Sequence, residues 1–210
     1  MIEPLDTHHI KLLPVKLQEK MFGHDDRYLF ARLGVHGDGT CFFHSLCAAL
    51  NMENYLFADT ATQQQIGHRY RNRFTAHITP EKWSQFQRDN GVTGGVSVEQ
   101  LKEQFRDDTR WADETMIKLV SDVMELNILF IDTDNQKLYC GVRGEKDEPL
   151  IVILWVNHSH FEPMLRVLDA DLKTNKIQAQ FQFSLFNRAD KEVVDIMMSN
   201  YSAQCPHDKV

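Results

Sequence analysis

The tightest constraint on the fold lies between residues 150 and 168. Leu150 to Val156 is a near-continuous apolar run, Asn157-His158-Ser159 is turn chemistry, and a second apolar run extends from His160 to Leu168. Two such runs joined by a three-residue turn predict a hairpin. Ile128-Leu129-Phe130-Ile131 is short and rich in strand formers, which predicts a further strand. Ahead of these, the periodicity is helical. Phe42, Phe43, Leu46, Cys47 and Leu50 recur at helical spacing after Thr40, a good N-cap residue. Helices are also predicted over Val15 to Met21, Thr60 to Ala76, Glu81 to Arg88, from Ser97 onward, and over Trp111 to Leu126, with a short strand at Arg27 to Phe30. Near the end, Ile177 to Leu185 alternates apolar with polar residues as a half-buried strand does, and a last helix is predicted from Arg188 to Ser199.

Nothing divides the chain. It has 210 residues, of which 42% are hydrophobic and 25% charged, enough for one globular domain with a sizeable core. No repeat or Pro/Gly/Ser linker interrupts it, and neither a signal peptide nor an apolar membrane span is evident. A soluble, intracellular protein is expected. Cys41, Cys47, Cys140 and Cys205 lack the paired spacing of zinc ribbons and the density of a disulfide-stapled module, which fits reduced thiols. The net charge of −7 argues against nucleic acid or an anionic membrane as partner.

The chemistry concentrates around Gly37-Asp38-Gly39-Thr40-Cys41. Two glycines permit a sharp bend, and the helix beginning at Cys41 aims its free N–H groups and positive dipole end at the thiol, which favours thiolate. The same amides, with those of the Asp38-Gly39 bend, suit the oxyanion of a tetrahedral intermediate. A cysteine nucleophile needs a base, and His160 at the start of a predicted strand qualifies. Glu162, two residues on, projects from the same strand face and is placed to orient the imidazole, with Asn157 as the alternative. Cys47, Cys140 and Cys205 read as ordinary buried or solvent-side thiols.

These residues carry a resemblance. Asp38-Gly39-Thr40-Cys41-Phe42-Phe43 resembles the nucleophile signature of the ovarian tumour (OTU) cysteine proteases, and His160-Phe161-Glu162-Pro163-Met164 resembles their histidine signature. Between them, Trp111-Ala112-Asp113-Glu114, leading into Ile117, Leu119 and Val123, is similar to the family's tryptophan-led helix. Three motifs in order over roughly residues 30–167 are far more specific than one. The resemblance implies a papain-like α/β (α+β) fold, with a small central sheet flanked by helices and the nucleophile at a helix N-terminus. It implies a thiol-dependent hydrolase that cuts isopeptide bonds after the C-terminal Gly-Gly of ubiquitin or a ubiquitin-like protein. By position it makes Cys41 the nucleophile, His160 the base, Glu162 the orienting acid and Asp38 a support of the oxyanion loop. His44 departs from the basic residue frequent after the aromatic, and Glu162 from the commoner Asp or Asn.

The expectation is one catalytic domain over residues 1–210, with an N-terminal arm (1–29) and a C-terminal extension (168–210) outside the matched core. It is expected to be cytoplasmic, in a host cytoplasm if the protein is an effector, and monomeric. Ubiquitin or polyubiquitin is the expected partner, with no nucleic acid, membrane, cofactor or metal. Two rivals remain: a catalytically weak ubiquitin-binding module on the same fold, and a zinc-binding domain using Cys41, His44, His158 and His160. Residues 51–95 are expected to form much of the surface holding a distal ubiquitin, Trp111 is expected in the core, and Trp83 stays open.

Overall fold

The computed structural model describes residues 2–22, 29–93, 95–139 and 150–167, with 185–186, 195–197, 199–200 and 203 as isolated pieces. The predicted strand over 177–184, most of the predicted helix over 188–199, Cys140 and Cys205 lie outside the described residues. Strands are β1 (Ile10–Leu12), β2 (Leu29–Leu33), β3 (Asn127–Asp132), β4 (Lys137–Tyr139), β5 (Leu150–Val156), β6 (His160–Val167) and β7 (Leu185–Phe186). Helices are α1 (Val15–Phe22), α2 (Cys41–Ala49), α3 (Thr60–Phe74), α4 (Pro80–Asn90), α5 (Val98–Arg106) and α6 (Glu114–Val123). No helix among the described residues is long and apolar enough to cross a membrane.

The strands form one sheet in the order β1-β2-β6-β5-β3-β4, with β7 beside the start of β5. β3 and β5 run parallel; the other pairs are antiparallel. Alternation along β3 and β5 explains why both read as unbroken apolar runs. Ile128, Phe130, Ile151 and Ile153 enter a core with α2 to α6, whereas Leu129, Ile131, Val152 and Leu154 face a second core under α1, with Leu13, Leu17 and Met21. The N-terminal segment is thus built into the sheet and its second core.

The β6 strand serves two neighbours in turn. His160 to Pro163 pair with β5, and Met164 to Val167 pair with β2. Proline has no N–H to give a ladder, and here it marks the handover. The first half of β6 also supports α2, where the Ser45 hydroxyl donates to the Phe161 carbonyl at 2.9 Å.

Two expectations shift. The tryptophan-led helix begins only at Glu114, with Asp113 as its N-cap accepting from Met116 N–H at 2.9 Å; Trp111 precedes it and is 53% exposed. Trp83 is the core residue, stacked on Phe86 with its indole N–H donating to the Val96 carbonyl at 3.1 Å.

Candidate active site

The bend before α2 is closed by Asp38. Its carbonyl accepts from Cys41 N–H at 3.2 Å and its Oδ1 from Thr40 N–H at 2.9 Å. Thr40 occupies the N-cap position, yet its hydroxyl makes no capping bond, and Asp38 ties the bend instead. Gly39 is required by space, because a Cβ there would strike the Asp108 carbonyl. The amides of Thr40 and Cys41, expected to be free for an oxyanion, are therefore both engaged by Asp38 in this arrangement.

What holds the bend in place is Arg71, which the sequence reading missed. It is buried, and its guanidinium donates to the carbonyls of Gly39 (2.7 Å), Phe105 (2.6 Å), Asp107 (2.7 Å) and Arg110 (2.6 Å), and to the Thr40 hydroxyl (3.3 Å). A planar fork of five donors can tie three segments at once, which a lysine cannot. Helical spacing offered the signal: Arg71 shares the buried face of α3 with Gln63, Ile66, Gly67 and Phe74.

Cys41 opens α2 as expected, but it is only 3% exposed. Burial pushes its thiol up to about 11; the backbone amide of Phe161 pulls the other way and the charge of Asp38 adds to the rise. The expected thiolate preference is thus reversed, because desolvation of the sulfur outweighs the helix N-terminus. The contact with the Phe161 amide sets the thiol beside β6, one residue along from His160.

His160 is 5% exposed, and its Nε2 is buried without a hydrogen-bond partner. Burial pulls it down to about 4, partly opposed by the charge of Asp38. Glu162 does lie on the same side, with Oε1 3.9 Å from His160 Nε2, which is too far for a hydrogen bond. Its oxygens serve other groups. Oε2 accepts from the buried Arg32 at 3.0 Å and Oε1 from Leu5 N–H at 2.6 Å. Arg32 also donates to the Glu3 carbonyl at 2.7 Å. Burial still pushes Glu162 up to about 7 against the pull of Arg32. Asn157 sits in the β5–β6 turn at a φ of 50°.

The histidines of the rival zinc reading separate. His44 is fully buried, its Nε2 3.3 Å from Asp38 Oδ2 and its Nδ1 3.0 Å from the Tyr55 hydroxyl. A Cβ on Gly67 of α3 would run into this imidazole. His158 stands instead against Asp132 and Asp134, at 3.4 and 3.9 Å. Among the described residues, the four proposed ligands do not converge.

Beside Phe161, a cavity of about 160 Å³ opens between the start of α6 and the β5–β6 turn. Trp111, Ile117, Phe130, Trp155 and Phe161 give it apolar walls.

Residues 36–162, from the bend to Glu162, match the model of the OTU-like cysteine proteases. The chain belongs to that family. Its fold is similar to a solved OTU domain in complex with ubiquitin, at 13% identity, a TM-score of 0.53 and coverage of 94% of each chain. The OTU domain of OTUD1 gives 15% identity, covering 71% of this chain and 93% of that one, with a TM-score of 0.49. The Hazara virus OTU bound to ubiquitin gives 15% identity, 68% and 84% coverage, and a TM-score of 0.43. None of the curated proteins searched matches the chain. The mixed α/β architecture is that of an OTU domain, and the class is cysteine protease.

Proposed function

We propose that this OTU domain is a deubiquitinase that hydrolyses the isopeptide bond after the C-terminal Gly-Gly of ubiquitin or a ubiquitin-like protein. The observation carrying it is the meeting of Cys41, first in α2, with the Phe161 amide next to a buried His160 whose Nε2 has no partner. The ubiquitin held by the OTU domain of similar fold supports the choice of substrate. With thiol and imidazole both neutral at rest, His160 acts as general base. It takes the S–H proton as sulfur attacks the carbonyl carbon, then gives that proton to the departing lysine amine. Water hydrolyses the thioester and restores the thiol. Glu162 acts as a positioning residue through β6, which it ties to Arg32 and the Leu5 amide, rather than by a hydrogen bond to His160, and Asp38 sets the bend whose amides stabilise the oxyanion once substrate displaces their internal acceptor.

A ubiquitin bearing a C-terminal electrophile should label Cys41 alone, and Cys41→Ala or His160→Ala should each abolish cleavage of a di-ubiquitin panel. Adducts on Cys47, Cys140 or Cys205 overturn the assignment. The buried thiol and engaged amides favour a second reading, a module that binds ubiquitin without cutting it. Calorimetric binding with no turnover on any linkage selects that reading.

A further inference from the structure

Asp38, His44 and His68 converge in a way that the chemistry above does not use. Asp38 Oδ2 lies 3.3 Å from His44 Nε2 and 3.2 Å from His68 Nε2, and one ligand atom from each of the three falls within 4.8 Å of the others. The two Asp38 separations also match the edge of a tetrahedron with arms of about 2.0–2.1 Å, which is close to 3.3 Å. The outer nitrogens are also engaged. His44 Nδ1 meets the Tyr55 hydroxyl at 3.0 Å, and His68 Nδ1 meets the Asp108 carboxylate at 3.4 Å. An acceptor behind each imidazole is the arrangement that fixes the tautomer of metal-binding histidines. His68 faces a carboxylate at both ring nitrogens, an excess of negative charge that a cation at its Nε2 would relieve.

We propose that Asp38, His44 and His68 form a zinc site separate from the Cys41–His160 pair, joining the bend before α2 to α3. Two imidazoles and one carboxylate suit Zn²⁺ better than Ca²⁺ or Mg²⁺, which prefer all-oxygen shells. The side chains of Asp38 and His68 are 25% and 28% exposed, so water can reach the fourth position. The other cluster of this kind, Asp132, Asp134 and His158, is a poorer host. Asp132 already accepts from the amides of Asp134 and Asn135 and from the Asn135 side chain.

Co²⁺ as a spectroscopic substitute for zinc tests the site in the Cys41→Ala protein, which removes the reactive thiol and makes the result independent of the protease reading. Tetrahedral Co²⁺ absorption should saturate at a single equivalent and be displaced by Zn²⁺. His68→Gln should abolish it, with circular dichroism checking the fold. Asp108→Asn, at an exposed position, should weaken Co²⁺ binding by about 10- to 100-fold and decides the matter if His68→Gln does not fold. Absence of the bands in Cys41→Ala, or affinity unchanged in both His68→Gln and Asp108→Asn, overturns the site.

Discussion

Asp38, at the bend before Cys41, and Glu162, two residues after His160, meet opposite environments. Asp38 is partly open to water; burial opposes its charge, but the hydrogen bond and charge of His44, the Thr40 amide and His68 together hold it far below the usual carboxylate range. Glu162 is sealed from solvent and receives one guanidinium and one amide, yet burial raises it to about 7. The difference teaches that a carboxylate's charge is set by donors weighed against lost hydration, and that a formal ion pair alone does not decide it. Asp38 organises the nucleophile's bend, whereas Glu162 anchors the N-terminal segment against β6.

The contrast breaks most directly by truncation. Glu162→Ala leaves Arg32 buried and unpaired, so it should cost about 3–5 kcal/mol in urea denaturation, and kcat should fall by about ten- to a thousand-fold in whatever remains folded. Asp38→Ala should cost less, about 1–3 kcal/mol, because water can replace part of what is lost. Equal costs would erase the distinction.

Acid titration sharpens it. His160 stays neutral in the fold down to about 4, so between pH 6.5 and 4 the unfolded chain binds the extra proton and stability falls on acidification. Glu162, raised to about 7, has the opposite sign: its contribution is greatest below 4.5 and is lost as pH rises toward 7. The two slopes should nearly cancel in the native protein. Glu162→Gln removes one of them, and its unfolding free energy should then drop by about 2–3 kcal/mol from pH 6.5 to 4. A flat profile in that variant means His160 is not held neutral.

Smaller effects are expected away from the carboxylates. Arg71→Lys keeps the charge and loses the fork, leaving buried carbonyls around the bend unpartnered; about 2 kcal/mol is expected by denaturation, with kcat reduced more than KM is raised. Trp111→Ala should change stability by less than about 1 kcal/mol, since the indole is half exposed, while raising KM a few-fold if the cavity takes part of the substrate.

Local rules revealed more of this molecule than distant ones. The bend, the start of α2 and the β5–β6 hairpin were legible because glycine placement and apolar spacing act over a few residues. The same-face rule correctly brought Glu162 near His160. It could not foresee Arg32 and Leu5, whose claims on the carboxylate come from 130 and 157 residues away. Trp111 lies half exposed against expectation, and Trp83, left open by the sequence, takes a place in the core, for the same reason: an aromatic in sequence does not say which wall it meets. The thiolate expectation failed on burial, which only packing of α2 against β6 creates.

The partners of Glu162 also bear on how this protein can be cut down for study. The stretch matching the family runs from residue 36 to 162 and ends on that glutamate. Trimming to those limits would delete Arg32, Leu5 and Glu3, remove β1 and β2, and halve β6 at its proline. A carboxylate now sealed at the base of the site would become a chain end facing water. The family's recognisable stretch is therefore shorter than the piece that must be kept together, and the first dozen residues belong to the working part.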